Sequence, residues 1–307
     1  MVNKPNTQIE IAGVVFENPV MTASGTFGYG EEFDDFLSVK DLGAVVVKGI
    51  SYNPRSGNPP PRIVETPCGM LNAIGLENVG VKRFIREKMP YLQANGIKTI
   101  VNILGDSVEE YCAIVEKLNT VDGVTAVEIN ISCPNVKKGG VAFGTDPEMA
   151  AEVTRAIKKV SKLPVIVKLS PNVTDNVQMA TAVERAGADA VSLINTLIGM
   201  AIDIDSRKPV LANIIGGLSG PAIKPVALRM VWQVSQAVGI PVIGIGGISS
   251  WKDAIEFILA GATAIQVGTA NFVDPNVAEQ IYDGIEDFLI NNEIQFITDL
   301  IGTAHPH

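Results

Sequence analysis

Short apolar runs recur along the chain and are separated by amphipathic stretches of helical length. Most of these runs are continuously apolar rather than alternating, which is typical of parallel strands buried on both faces. We predict eight strands, at Val20–Ser24, Val45–Lys48, Ile100–Leu104, Val127–Ser132, Val165–Leu169, Ala190–Ile194, Val242–Ile245 and Ala264–Val267. Strands that alternate with helices in this way indicate a parallel sheet with helices packed outside it.

A short phrase is repeated just before three of the predicted strands, as Asp41-Leu-Gly-Ala44, Arg185-Ala-Gly-Ala188 and Leu259-Ala-Gly-Ala262. Its glycines, Gly43, Gly187 and Gly261, are expected just after the end of a helix, where a left-handed backbone is needed. Repeated βα units predict an α/β fold of the (β/α)8 TIM-barrel type rather than two domains. No linker or low-complexity segment is evident, so residues 1–307 are expected to form one barrel domain.

Three stretches depart from the repeat. Residues Gln8–Glu17 alternate between apolar and polar, with Gly13 at the bend, which predicts a hairpin capping the N-terminal end of the barrel. Ser51–Leu76 is rich in proline and glycine, and Gly199–Pro225 is a second long insertion ahead of a helix near Pro225–Val238. Long loops after strands are where a barrel carries its binding chemistry, so we expect both insertions at the C-terminal face.

The composition limits the class of partner. Apolar residues make up 47% and charged residues 19% of the 307-residue chain, so a large core can form. The net charge of −9, without a Lys/Arg cluster, disfavours a nucleic acid as partner. A chain this acidic must place a few cations locally if it is to bind an anionic substrate.

The N-terminus and the cysteines bear on location. Met1–Glu10 is polar and does not resemble a secretory signal, and the apolar runs are too short to span a bilayer, so we expect a cytoplasmic protein without a membrane segment. The three cysteines, Cys68, Cys112 and Cys133, form no CxxC pair, which fits a reduced cytosolic protein. They also exclude an iron–sulfur cluster held by this chain alone, because four thiolates are the usual requirement.

Functional groups or glycine turns occur at or near the ends of seven consecutive predicted strands: Lys48, Asn102, Asn130, Cys133, Lys168, Asn195, Thr196, Gly246, Gly247, Gly268 and Thr269. Unpaired lysines are costly to bury, so Lys48 and Lys168 converging on one mouth indicate an anionic ligand. Glycines after the last two strands let the backbone approach a phosphate and direct amide N–H groups at it. We favour a phosphate site there over ordinary tight turns.

Two further segments were considered as sites for NAD or for a metal, and neither is favoured. Gly244–Ser249 resembles a dinucleotide fingerprint only in part, because Ser249 replaces the third glycine, so we do not expect NAD to bind there. His305 and His307 lie in the C-terminal tail, which is expected to be exposed to solvent. No cluster has metal-ligand spacing, so no metal is expected.

The cysteines differ in their surroundings. Cys133 follows the fourth predicted strand and precedes a loop rich in glycine and lysine, a position that suits proton transfer but equally a plain buried thiol. Cys68 lies in the Pro/Gly loop and could also be reactive. Cys112 lies on a predicted helical stretch, Val108–Leu118, and is expected in the core.

Taken together, the motifs resemble those of one known protein family. Val127-Glu-Ile-Asn-Ile-Ser-Cys-Pro-Asn135 resembles the catalytic-cysteine signature of class 1 dihydroorotate dehydrogenases. The other blocks match that family in order and spacing: Lys48-Gly49, Asn72-Ala-Ile-Gly-Leu76, Asn195-Thr196, Gly246-Gly-Ile248 and Gly268-Thr269. The resemblance covers essentially the whole chain, and the segments Cys133–Gly140 and Asn72–Gly75 are similar to the B type of that class.

The resemblance implies an FMN enzyme, with one FMN per chain, that oxidises (S)-dihydroorotate to orotate in pyrimidine (UMP) biosynthesis. Cys133 would remove the proton from C5 of the substrate while hydride leaves C6 for the flavin N5. The substrate-binding residues implied are Lys48, Asn72, Ala73, Ile74, Gly75, Leu76, Asn130, Asn195 and Thr196. The FMN-binding residues implied are Ser24, Lys48, Gly49, Asn102, Asn130, Lys168, Ile194, Gly220 and, at the phosphate, Gly246, Gly247, Gly268 and Thr269.

B-type members pair this FMN barrel with a separate electron-transfer subunit, which carries FAD and a [2Fe–2S] cluster and passes electrons to NAD. The resemblance implies the same partner here. It further implies a homodimer core within a heterotetramer of two catalytic and two electron-transfer subunits.

Other functions stay open at this point. An FMN enzyme that acts on a dihydropyrimidine without the carboxylate, such as dihydrouracil, would differ at the carboxylate site around Lys48 and Ala73–Leu76. A dihydroorotate oxidase that passes electrons to fumarate is a further variant. A flavin-free lyase or aldolase with Lys168 as Schiff-base nucleophile belongs to a different class. A non-catalytic scaffold barrel is disfavoured by the polar groups gathered at one mouth.

The position of Cys133 generates a prediction. Cys133→Ser should keep FMN but slow the reduction of the flavin by dihydroorotate, most strongly near neutral pH, because a hydroxyl is a far weaker acid than a thiol. Anaerobic stopped-flow absorbance measures this rate. Undiminished reduction would remove Cys133 as the base.

Overall fold

The computed structural model describes residues 4–132 and 143–306. At its centre is an eight-stranded parallel sheet: β1 Val20–Thr22, β2 Val45–Val46, β3 Thr99–Ile103, β4 Val124–Asn130, β5 Val165–Leu169, β6 Ala190–Leu193, β7 Val242–Ile245 and β8 Ala264–Val267. Consecutive strands pair from β2 to β8, and β8 pairs with β1. The sheet closes where the Thr22 N–H donates to the Ala44 carbonyl (3.2 Å) and the Gly43 N–H donates to the Val20 carbonyl (2.8 Å). The predicted barrel is confirmed.

The strand bounds follow the apolar runs closely. β5, β7 and β8 have the predicted bounds. β4 begins at Val124 rather than Val127, because its pairing with β3 extends back to Thr99. β2 ends at Val46 rather than Lys48, and the Lys48 N–H donates to the Gly28 carbonyl (2.8 Å) instead of to a neighbouring barrel strand.

Helices surround the sheet, at Val81–Arg83, Met89–Ala94, Val108–Leu118, Pro147–Val160, Asn176–Arg185, Lys224–Ser235, Trp251–Leu259 and Val277–Asn291. The first two are joined by a π-helical stretch, Phe84–Lys88. Several helices begin at a residue whose side chain accepts from a backbone N–H of the first turn, namely Ser107, Asp146, Asp175 and Ser250. In the described parts of the chain, no helix combines the length and the apolar character needed to cross a bilayer.

The repeated glycines differ from one another. Gly187 (φ 99°) and Gly261 (φ 105°) adopt the left-handed region directly after a helix, as predicted. The prediction for Gly43 is wrong, because it follows a short 3-10 turn and its φ lies outside that region. Glycine is required there for a different reason: a Cβ would overlap the carbonyl oxygen of Asn18 at the barrel seam.

The N-terminal hairpin is present, with antiparallel strands Ile9–Ile11 and Val14–Phe16. Phe16 is almost fully buried, and the Lys98 ammonium lies 5.8 Å above its ring. Lys98 immediately precedes β3, so the hairpin lies at the N-terminal end of the barrel, as predicted.

The two insertions form one structure that the sequence pattern does not indicate. The first insertion contributes strands Ile63–Thr66 and Gly69–Asn72, and the second contributes Leu197–Gly199 and Gly216–Ser219. Together they form a four-stranded antiparallel sheet, in which Gly69–Asn72 pairs with Gly216–Ser219. We call this the insertion sheet. Its strand Leu197–Gly199 begins two residues after Asn195, just past the end of β6, so the insertion sheet lies at the C-terminal mouth of the barrel. A smaller pair of strands, Ile202–Asp203 and Lys208–Pro209, extends the second insertion.

Candidate active site

A buried carboxylate lies inside the barrel. Glu128 on β4 is fully buried and accepts hydrogen bonds from Asn102 Nδ2 on β3 (2.7 Å), Ser192 Oγ on β6 (2.8 Å) and Gln266 Nε2 on β8 (2.8 Å). Lys168 Nζ on β5 lies 3.7 Å from Glu128 Oε1. Five strands thus meet at one charged group. We call these five residues the Glu128 cluster.

Two acceptors of the Glu128 cluster, Asn102 Oδ1 and Gln266 Oε1, have no hydrogen-bond partner among the residues that the structure describes. Asn102 Oδ1 faces Gly49, where a Cβ would lie only 2.9 Å from it. A buried acceptor without a partner is costly, so this atom is a candidate contact for a polar group of a ligand.

Two of the five residues of the Glu128 cluster were predicted from the sequence. Asn102 and Lys168 were singled out, whereas Glu128, Ser192 and Gln266 were missed. Each of the three missed residues lies between two apolar residues inside a buried strand, and this interruption is the signal that could have revealed them. A charged residue in such a strand requires a buried partner.

The predicted pyrimidine-binding amides are brought together above the cluster. Asn195 Nδ2 donates to Asn130 Oδ1 (3.3 Å), and Asn195 Oδ1 accepts from the backbone N–H of Thr196 (2.8 Å). Thr196 packs against Gly217 of the insertion sheet so closely that a side chain at Gly217 would overlap its hydroxyl. Asn72 Nδ2 donates weakly to the Gly217 carbonyl (3.4 Å). The four polar side chains therefore form a continuous rim from β4 to the insertion sheet.

Hydrogen bonds from Asn58 fix the segment after Asn72. Asn58 Nδ2 donates to the Ala73 carbonyl (2.9 Å), and the Asn58 N–H donates to the Ile74 carbonyl (2.9 Å). Gly75 (φ 77°) and Leu76 (φ 60°) both have left-handed backbones. The structure thus places Ala73–Leu76 as a tight loop beside the amide rim.

Lys48 follows β2 and is half-buried. It lines a cleft of about 470 Å³ together with Tyr29, Arg55, Asn78 and residues around them. Burial lowers the pKa of Lys48, and the nearby Glu77 carboxylate opposes this shift only in part. Lys48 is connected to the Glu128 cluster through the next residue, Gly49, which faces Asn102. The cleft therefore holds a cation that lacks full hydration.

The predicted phosphate-binding glycines meet at one place. Gly246 (φ 129°), Gly247 (φ 72°) and Gly220 (φ 94°) all adopt positive φ, and a Cβ at Gly247 would lie 2.9 Å from the Gly220 carbonyl oxygen. A Cβ at Gly220 would lie 3.6 Å from the Thr269 methyl carbon. The turns after β7 and β8 and the start of helix Lys224–Ser235 thus form one glycine-lined cradle.

The remaining predicted cofactor residues border this cradle. Ile194, at the end of β6, lies beside Gly246, where a Cβ would be 3.4 Å from its Cγ1 atom. Gly268 faces Ala23, which directly precedes Ser24 in the loop after β1. The structure therefore brings every described member of the predicted cofactor set to the same mouth of the barrel.

A model of one protein family matches the chain over residues 6–289, and its description is dihydroorotate dehydrogenase. The chain belongs to this family. The resemblance inferred from its motifs is thereby confirmed.

The similarity to known relatives extends over nearly the whole of both chains. The catalytic subunit of dihydroorotate dehydrogenase B (NAD(+)) from Geotalea daltonii is 61% identical over 299 residues, which covers 97% of this chain and 98% of that protein. Subunits of the same name from Geotalea uraniireducens and Geobacter sulfurreducens are 60% and 59% identical over the same shares.

The cysteines separate into different settings. Cys133, for which the resemblance implies a catalytic role, lies outside the described residues, so this role stays a prediction. Cys68 is exposed in the turn between the two strands of the first insertion. Cys112 lies on helix Val108–Leu118 but is half-buried rather than in the core, and burial raises the pKa of its thiol. Neither of the described thiols lies at the amide rim.

The C-terminal tail is anchored, contrary to the prediction for His305. The imidazole Nε2 lies 3.1 Å from Ser235 Oγ and 3.0 Å from the Ala260 carbonyl oxygen, and the ring packs edge-on against Trp232. Its contacts join the ends of two barrel helices, a structural role. His307 lies outside the described residues, and within them no group of His, Cys, Asp or Glu could hold a metal ion.

Proposed function

We propose that this chain oxidises (S)-dihydroorotate to orotate in pyrimidine biosynthesis, with FMN as its bound hydride acceptor, in the cytoplasm. The observation that carries the proposal is the stacking of two layers at one mouth of a barrel of this family. The Glu128 cluster lies below, with its cation and two amide acceptors that find no partner in the described part of the chain, and the rim of amides from Asn72 to Asn195 lies above.

The residues fit FMN. The isoalloxazine ring offers an imide N–H, which suits the unpaired acceptor Asn102 Oδ1, and Lys168 supplies a cation for a ring that becomes anionic on reduction. Gly220, Gly246 and Gly247 pack closely on one another and on the start of helix Lys224–Ser235, and backbone gathered at a helix N-terminus suits a phosphate. When bound, FMN would accept the hydride that leaves C6 of the substrate.

The amide rim suits the pyrimidine ring. Asparagine side chains carry both a donor and an acceptor, and they can match the alternating N–H and C=O groups of dihydroorotate. Two hydrogen bonds fix the position of Asn130. Its backbone carbonyl accepts from Tyr111 Oη (2.7 Å), and its side-chain Oδ1 accepts from the Ser132 N–H (3.2 Å). Cys133, directly after Ser132, would then take the proton from C5.

Lys48 suits the substrate carboxylate. Its ammonium is partly desolvated, so a carboxylate that enters the cleft gains more from the ion pair than it would in water. Dihydrouracil has no such carboxylate and would form no ion pair with Lys48. Lys48 therefore favours dihydroorotate over the uncharged dihydropyrimidines.

We also propose that an electron-transfer subunit carrying FAD and a [2Fe–2S] cluster passes the electrons to NAD, within a heterotetramer built on a homodimer core. The relatives' names describe a catalytic subunit, which supports a partner. Exposed apolar side chains on the second insertion support subunit contact: Ile198, Met200, Ile202, Ile204, Ile214 and Ile215.

The decisive experiment is an anaerobic absorbance spectrum of the purified chain before and after dihydroorotate is added. We expect a flavin spectrum that bleaches with dihydroorotate, and far more slowly with dihydrouracil. Bleaching by dihydrouracil alone would move the substrate to another dihydropyrimidine. A colourless chain that cannot be reconstituted with FMN would refute the proposal.

The lowered pKa of Lys48 predicts a pH dependence of orotate binding. The ion pair needs a protonated Lys48, and the free chain gives up this proton at a lower pH than an ordinary lysine does. Above that pKa, binding must take up a proton, so the affinity should fall with rising pH by up to roughly tenfold per pH unit. Titration of orotate against the flavin spectrum from pH 7 to 10 measures this.

Lys48→Arg is the matched control, because a guanidinium stays charged throughout this range and removes the dependence due to residue 48. Lys48→Met should weaken binding roughly tenfold to a hundredfold at neutral pH, as expected for a lost hydrogen bond between charged groups. A wild-type affinity that falls no more steeply than that of Lys48→Arg would contradict this assignment.

The need for a partner predicts that the isolated chain cannot reduce NAD. The chain has no complete dinucleotide motif at Gly244–Ser249, and the phosphate cradle at this place is assigned to FMN. We therefore expect no NAD site there. NADH absorbance, followed with dihydroorotate and NAD present, measures the reaction. An artificial dye as acceptor serves as the positive control, and efficient NAD reduction by the chain alone would refute the partner.

A further inference from the structure

We propose that Glu128 is a positioning residue which, as the buried counter-charge of Lys168, sets the reduction potential of the bound flavin. This inference rests on the proposed use of FMN. It assigns a role to a carboxylate that lies below the ligand-binding residues rather than among them.

The geometry separates the ion pair from the hydrogen bonds. Glu128 receives its three hydrogen bonds from neutral donors, Asn102, Ser192 and Gln266. Lys168 Nζ lies 3.7 Å from the carboxylate, close enough for strong attraction in a buried site but beyond hydrogen-bond distance. The ammonium is therefore balanced electrically without donating a hydrogen bond to Glu128.

The same carboxylate determines how the neighbouring amides are oriented. An ionised carboxylate only accepts, so it selects the NH₂ ends of Asn102 and Gln266. Both amide oxygens must then point away from Glu128, and both are among the buried oxygens that lack a partner in the described residues. For Asn102, this turns the oxygen towards Gly49 and the expected flavin edge. A neutral residue at position 128 could also donate and would lose this selection.

The charge balance has a direct consequence for the flavin. Lys168 alone would favour the anionic reduced ring strongly, and the Glu128 carboxylate, 3.7 Å from Lys168 Nζ, would cancel part of that field. Removing the negative charge while keeping the shape should therefore stabilise the reduced flavin and raise its potential. A carboxylate that served only to stabilise the barrel would produce no such change in a variant that still binds FMN.

The test is the midpoint potential of FMN-loaded Glu128→Gln, measured against reference dyes at neutral pH. We expect at least a tenfold increase in the ratio of reduced to oxidised flavin at a given potential, a rise of about 30 mV for a two-electron couple. Ser192→Ala is the matched control, because it removes one hydrogen bond to the same carboxylate without changing the charge, and it should shift the potential by less than half as much. An unchanged or lowered potential in Glu128→Gln overturns the inference.

A second variant covers the case in which Glu128→Gln does not fold or bind FMN. The double variant Glu128→Gln/Lys168→Met buries no net charge, so it should melt at a higher temperature than Glu128→Gln if the two residues act as a pair. A double variant that melts no higher than the single variant overturns the pairing. Failure of the proposed function is a distinguishable outcome, because in that case the wild-type chain itself would bind no FMN.

Discussion

Closure of the barrel between β1 and β2 is the constraint on which the candidate site depends. Thr22, fully buried, joins the two strands, since its N–H donates to the Ala44 carbonyl and its Oγ1 accepts from the Val46 N–H (3.0 Å). In a sheet left open at this seam, β3 and β8 would lie far apart. Closed, they direct Asn102 and Gln266 at the same carboxylate. The polar interior and the functional mouth are thus both products of the seam.

The barrel was predictable because its strands are buried on both faces. Such strands consist of continuous apolar runs, and a run such as Val242–Ile245 has the same bounds in the structure as in the prediction. The insertion sheet was not predictable, because its strands have only three or four residues and two of them are rich in glycine or polar residues, as in Gly216–Ser219. Their pairing is decided by the barrel that brings them together rather than by local preference. Gly43 shows the same effect, since its need for glycine arises from a distant backbone.

The rim of the site was predictable from position along the strands, and its base was not. Side chains at the ends of parallel strands must meet at one mouth, so Asn130 and Asn195 could be grouped before any contact was known. Glu128 lies two residues before Asn130 and points into the interior, where its partners come from four other strands. A pattern read along one segment cannot reveal such a convergence. The desolvation of Lys48 likewise depends on loops that the sequence does not place.

The insertion sheet also has a consequence for the order of folding. The hydrogen bond from Asn72 to Gly217 spans 145 positions of sequence, and four barrel strands lie between its two ends. Contacts of such long range carry a high loop-closure entropy, which falls once the intervening strands have docked. The rim at Asn72 should therefore form late, after β3 to β6 have assembled. A chain stalled before that step would keep most of its native secondary structure and still be unable to hold its substrate.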